Sequence, residues 1–324
     1  MVRLTFRKRT SIQVDRLLVA PNIFGDTWYV DVTNGNNNNQ GQDPKSAFAT
    51  LAQARSSSAA GDTIVIAPGT YPIDVSAASL APKANQKWMA ANPARGGAPS
   101  VIIVADADDS ANAPVAVDVN NVHFEGIEFK LVAGGTTALF CLDTAQTSAV
   151  RGLSFDDCWF NLNSVDAAGV IACRFNDATN AITGLSLKRC RFVGGDGTTG
   201  QVSYIQIGVG GLPDGRIEQN TFVLESADGD CYGLDFLDPG ATAKSYALVV
   251  KNNDFVGPKD AGADGVGIFF AAAMTETEIV ALIHDNHFAY CSATPITIDK
   301  INKGVVRNYV GDNAAGGTLV DPGT

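Results

Sequence analysis

"CRFVGG", residues 190–195, recurs in outline as "CWFNLN" (158–163), "NTFVLE" (220–225), "NDFVGP" (253–258) and "NHFAYC" (286–291). A Phe returns each time with a thiol or an Asn two places before it. The Phe series runs Phe129, Phe160, Phe192, Phe222, Phe255 and Phe288, and then Val310. Its steps are 31, 32, 30, 33, 33 and 22 residues. Five places before each stands an apolar residue: Phe124, Phe155, Leu187, Ile217, Val250, Ile283 and Val305. Two places before each stand Ile127, Cys158, Cys190, Asn220, Asn253, Asn286 and Asn308.

A period of this length signals a solenoid or a propeller. Each unit reads as a short strand, a tight bend and a second short strand. Alternation turns the Phe inward and its neighbours outward. The bend calls for a left-handed residue, which Asn tolerates. Asn stacked there can pass side-chain hydrogen bonds from coil to coil, and Cys fills the same slot as a small buried residue. A third strand is visible in "YIQIG" (204–208), "YGLDF" (232–236), "VGIFF" (266–270) and "PITID" (295–299). Three short strands per coil of roughly 30 residues predict an all-β fold, a single-stranded parallel β-helix. A propeller blade, with about 40–45 residues in antiparallel strands, fits worse.

Composition agrees. The chain has 324 residues, 33 of them Gly, and a net charge of −11. Many turns and few charges suit short strands rather than helix bundles. The acidic balance disfavours nucleic acid as a partner. No apolar run approaches a membrane span, so no membrane insertion is expected. The N-terminus lacks the long apolar core of a secretory signal. Six Cys, at 141, 158, 173, 190, 231 and 291, show no metal-ligand spacing. Cys141 to Cys173 and Cys158 to Cys190 are both 32 residues apart, so stacked, reduced thiols are expected.

The segment "WYVDVTNGNNNNQGQDPKSAFATLAQARSSSAAGDTIVIAPGTY" (28–71) resembles the opening of right-handed parallel β-helix proteins of the pectate-lyase-like superfamily. The resemblance implies that fold, with a capping helix from about Ser46 to Ser58. Its apolar residues Phe48, Leu51, Ala52 and Ala54 would plug the open end, where strand edges invite aggregation. Among such proteins it is most like phage tailspikes and virion spikes; secreted polysaccharide lyases open in the same way. Residues 81–99 read as a long excursion, and "GADGVG" (262–267) reads as a turn because it lacks the order of a phosphate loop. The expected division is a basic arm at 1–25 and a β-helix domain at 26–324.

Candidate chemistry concentrates in "ESADGDCYGLDFLDPG" (225–240), with Glu225, Asp228, Asp230, Asp235 and Asp238. β-Helix glycosidases use carboxylate pairs, so Asp230, Asp235 and Asp238 are the catalytic candidates. Alternation places Gln206, Asp235 and Phe269 outward on successive coils, where an acid, an amide and a ring could hold a glycan. None of the lyase signatures matches residue by residue, so no catalytic role is carried over from the resemblance. His284 and His287 form H-x-x-H on a bend and a strand and read as surface histidines. No cofactor or metal is expected.

Val193, Val223, Val256 and Ala289 each follow a ladder Phe and should face outward. Such a strip marks a contact surface, expected between the subunits of a homotrimer. The leading functional expectation is a phage virion spike, made in the host cytoplasm. Arg3, Arg7, Lys8, Arg9 and Arg16 would dock its arm on tail or capsid proteins, and its body would meet host-surface polysaccharide. Two alternatives stand beside it. One is a polysaccharide lyase or glycoside hydrolase on the same scaffold; the other is a capsid decoration protein without a glycan role.

Overall fold

The structure, a computed structural model, describes residues 25–73, 80–93, 96–105, 115–131, 139–143, 150–162, 170–175, 182–195, 201–208, 211–224, 231–237, 246–257, 265–270, 279–291, 296, 305–306 and 308–310. Residues 1–24 of the expected basic arm, with Arg3, Arg7, Lys8, Arg9 and Arg16, lie outside them.

The fold is a right-handed parallel β-helix. Three sheets run along it, of ten, nine and six strands, and every strand pair among the described residues is parallel. We call them sheets A, B and C in that order. One coil shows the plan. Its sheet C strand is Leu139–Asp143, its sheet A strand Ser154–Asp156 and its sheet B strand Trp159–Leu162.

The repeat aligns in space as it does in sequence. Phe129, Phe160, Phe192, Phe222, Phe255 and Phe288 are register partners in sheet B. All six are buried. From Phe160 to Phe255 each ring lies 4.7 Å from the next and nearly parallel to it. The strand spacing forces this face-to-face stacking, which is not the electrostatic optimum for rings. Burial carries the energy, at about 1.5–3 kcal/mol for each fully buried Phe.

The bend between sheets A and B carries the Asn ladder. Nδ2 of Asn220 donates to Asn253 Oδ1 at 3.0 Å and to the Leu187 carbonyl at 3.0 Å. Asn253 repeats this toward Asn286 and Ile217, and Asn286 toward Asn308 and Val250. Each Oδ1 also accepts a backbone N–H from the preceding coil. Buried amides are thus paired on both sides, as a dry interior requires. Cys190 holds the same slot, with its thiol 3.7 Å from the Phe155 carbonyl.

The structure corrects several details. The left-handed residue of the bend is not the ladder residue but the one before it: Gly126, Asp157, Arg189, Gln219, Asn252 and Asp285 all have φ between 52° and 68°. Residues 81–99 are not a simple excursion. Lys87–Ala90 is a sheet A strand, and Trp88 takes the inward slot between Ile64 and Phe124. The capping helix is shorter, Leu51–Ser57, with Leu51 and Ala54 buried and Ala52 exposed. Gly265–Phe270 is a strand, so the second half of "GADGVG" is not a turn.

Cys173 pairs with Leu142, not with Cys141, and among the described residues Cys158 and Cys190 are the thiols that share a slot on neighbouring coils. Cys158, Cys173, Cys190, Cys231 and Cys291 are free and buried. Burial pushes the Cys291 thiol up to about 12 and the Cys190 thiol well above its ordinary value. No helix among the described residues is long and apolar enough to cross a membrane.

Candidate functional site

Sheet C departs from simple alternation. In Val202–Ile207 every side chain but Gln206 is buried, and Tyr204 and Ile205, two successive apolar residues, both belong to the buried core. Tyr204 reaches the Phe stack, 6.1 Å from Phe192 and 6.4 Å from Phe222. In the next two coils this slot belongs to Gly233 and Gly267. A Cβ there would meet Phe255 at 2.7 Å or Phe288 at 2.4 Å. The break in alternation leaves the buried Ser203 and the half-buried Gln206, three residues apart, as the polar side chains of the strand.

Both converge on one carboxyl. Asp235 Oδ2 accepts from Gln201 Nε2 at 2.8 Å, from Ser203 Oγ at 2.9 Å and from Gln206 Nε2 at 3.2 Å. Asp235 is 1% exposed, and its Oδ1 is buried with no hydrogen-bond partner among the described residues. Every group that holds it is neutral. Burial raises its pKa, and the hydrogen bonds from Gln206, Ser203 and Gln201 only partly offset that. Such a carboxyl holds its proton to higher pH than a solvated one, and Oδ1 is the oxygen left free to donate it.

The surroundings follow from register. Arg174, Gln206, Asp235 and Phe269 succeed one another on adjacent coils. The Tyr232 ring packs 4.7 Å from Phe269. The structure therefore brings the predicted Gln206, Asp235 and Phe269 onto one line of sheet C. It also places Asp235 below the surface rather than in solvent, because Gln201, Ser203 and Gln206 close over Oδ2. Asp230 and Asp238 lie outside the described residues, as do Glu225 and Asp228.

Sequence reasoning missed Gln201, Ser203, Tyr232 and Arg174. Strict alternation hides Ser203, because the inward pair at 204 and 205 shifts the outer positions. The signal was present in the buried-looking run "VSYIQI", which has too many apolar residues for a period of two.

The other predicted positions do not converge on this carboxyl. Val193, Val223, Val256 and Ala289 do form one row of sheet B. Val193 is buried at 8% exposure within its own chain, while the other three are half-buried. His284 Nδ1 lies 2.7 Å from Asp285, and His287 Nδ1 lies 3.6 Å from Asp254, so the two rings have separate partners. No group of three metal-ligating side chains occurs among the described residues.

Comparison with known proteins adds a limited context. No protein-family model matches the chain. An α-1,3-galactosidase A of Akkermansia muciniphila is 26% identical over 146 residues, which cover 40% of this chain and 24% of that protein. The match thus spans about a quarter of the relative's length. Among solved structures, a pectin methylesterase from Aspergillus niger in deglycosylated form has 12% identity and a TM-score of 0.43, covering 92% of this chain and 94% of its own. A rhamnogalacturonan lyase has 15% identity and a TM-score of 0.33, covering 91% and 89%. Both scores are low, and the fold rests on the strand register itself.

Proposed function

We propose that this β-helix is a carbohydrate-active protein, with the outer face of sheet C as its sugar site and Asp235 as a general acid. One observation carries the reading: a carboxyl dried by burial, held on Oδ2 by three neutral donors, with Oδ1 unpaired. Once a sugar displaces what covers it, a proton on Oδ1 is placed for transfer to the glycosidic oxygen as its bond to the anomeric carbon breaks, water adds to that carbon, and the proton released by the water restores the acid. Glycosidases keep their acid protonated in this way, by an apolar or neutral setting. Phe269, backed by the buried Tyr232 ring, supplies ring surface for the C–H face of a sugar, and Gln201 and Gln206 supply amides. The partial likeness to a galactosidase supports the same class and makes α-galactosides the first substrates to try.

The test is a panel of α-linked galacto-oligosaccharides and acidic polysaccharides, read as release of reducing ends. The wild type is expected to release product. Asp235→Asn is expected to lose turnover by at least about a hundredfold, as loss of an acid catalyst does, while its melting curve stays cooperative. Equal activity in the variant, or no release and no binding across the panel, overturns the proposal.

The virion-spike reading keeps one supporting observation: Val223, Val256 and Ala289 are only half-buried within the chain. It proposes that this row packs between the subunits of a homotrimer. Light scattering at micromolar concentration checks it. A trimer that dissociates on Val223→Asp with Val256→Asp supports the row as interface; a wild-type monomer ends the reading.

A further inference from the structure

A second cleft lies across the bend between sheets A and B, away from the sheet C carboxyl. Its volume is about 620 Å³, and Asp157, Trp159, Arg189, Arg191, Gln219 and Thr221 line it. These residues come in three pairs from three successive coils. Asp157, Arg189 and Gln219 are the left-handed bend residues, with φ of 52°, 53° and 59°. Trp159, Arg191 and Thr221 are register partners in sheet B and head the outer row beside them. The two rows make the floor of a trough about 10 Å long from first coil to third, at the spacing of a sheet.

Each side chain has a distinct state. Arg189 is committed: Nε and Nη2 hold Asp157 at 3.0 and 3.2 Å, and Nη2 also meets Asp156 at 2.5 Å. Arg191 is not committed. It is exposed and makes no ion pair among the described residues, and its guanidinium rests 4.9 Å from the centre of the Trp159 ring. The ring lies against the cation while the side chain stays exposed, and an exposed guanidinium suits a carboxylate or sulfate. Arg189 stands against Asp156 and Asp157, and Glu128 and Asp254 come next to Trp159 and Thr221 along the outer row, so Arg191 is the cation that an anion in the trough would meet. The Gln219 amide and the Thr221 hydroxyl stand within the same trough and offer both donors and acceptors. The volume falls within the range of small-ligand sites. A bulky Arg in the left-handed region carries a backbone cost that Gly or Asn would avoid.

We propose that this cleft binds an acidic saccharide. Arg191 takes the anionic group, Gln219 and Thr221 take ring hydroxyls, and Trp159, in contact with the Arg191 guanidinium, reports the binding. The proposal does not rest on the sheet C reading, because no residue is shared between the two sites.

The experiment is calorimetric titration and tryptophan fluorescence on the full chain. The probes are a hyaluronan tetrasaccharide, which carries glucuronate, the neutral cellotetraose, and inorganic sulfate. The charged tetrasaccharide is expected to bind and to change the fluorescence, and to weaken with added salt. Arg191→Gln is expected to weaken it by about tenfold or more, as loss of a charge-assisted contact does. Trp159→Phe is expected to abolish the fluorescence change, since Trp88 is buried and Trp28 is tied to Asp62. Asp235→Asn is expected to leave this binding unchanged. Equal binding of the charged and neutral sugars overturns the proposal, as does no binding of either. Sulfate as tight as the tetrasaccharide reduces the site to a bare anion site and overturns the saccharide assignment. Loss of binding in Asp235→Asn moves the ligand to sheet C and overturns it as well.

Discussion

Asn253 Nδ2 stands 2.9 Å from Asn286 Oδ1 and 2.9 Å from the Ile217 carbonyl, so one amide joins three coils. Its Oδ1 in turn accepts from the backbone and side-chain nitrogens of Asn220 at 2.9 and 3.0 Å. Asn253→Ala would strip partners from all of these buried groups. At about 1–3 kcal/mol for a buried group left unpaired, the expected loss is at least about 3 kcal/mol in urea melts. Asn253→Cys is expected to cost less, because Cys190 already fills an equivalent slot. A loss under about 1 kcal/mol for the Ala variant would mean that the ladder does not bear on stability.

Gly267 faces the Phe stack, and a Cβ there would lie 2.4 Å from Phe288 Cε1 and 2.7 Å from Cδ1. The ring cannot retreat, since Phe255 lies 4.8 Å away on one side. Gly267→Ala is therefore expected to destabilise by about 1–3 kcal/mol through overpacking. An unchanged melting midpoint would show that the sheet C strand sits farther from the stack.

Asp235 makes the stability depend on pH. Its pKa in the folded chain is raised above the ordinary value of 3.8, chiefly by burial. The protonated form is the one the fold favours. Its contribution is whole below the ordinary value and is lost as pH rises through the folded value. The stability of the wild type relative to Asp235→Asn should therefore fall as pH rises from about 4 toward about 8. Paired urea melts across that range measure it, and the other carboxylates cancel in the difference. A relative stability that rises with pH would reverse the assignment and make Asp235 a stabilised anion.

The fold was legible because one physical constraint repeats. A coil must return its Phe and its ladder residue to the same place, and the steps of 30–33 residues record that. The first coils were less legible, since Trp88 replaces Phe and the interval from Ile64 to Trp88 is short. The left-handed position was misplaced by one residue, because Asn252 and Asn253 are both Asn and only the backbone distinguishes them. The carboxyl site was half legible. Alternation found Gln206, Asp235 and Phe269 but missed Ser203, since a double inward step at Tyr204 and Ile205 breaks the period. The cleft at Trp159 and Arg191 was missed altogether. Its residues are spread over three coils, and no linear motif joins them.

Sugar bound on sheet C against Asp235 would be visible in a crystal structure of Asp235→Asn with an α-galactoside. The variant removes the acid, so the sugar survives in the crystal. Sugar density is expected along Gln206, residue 235 and Phe269, with the glycosidic oxygen within hydrogen-bond reach of the side-chain atom that replaces Oδ1. Saturating sugar that leaves this face empty, or that settles elsewhere with residue 235 still covered, would contradict it.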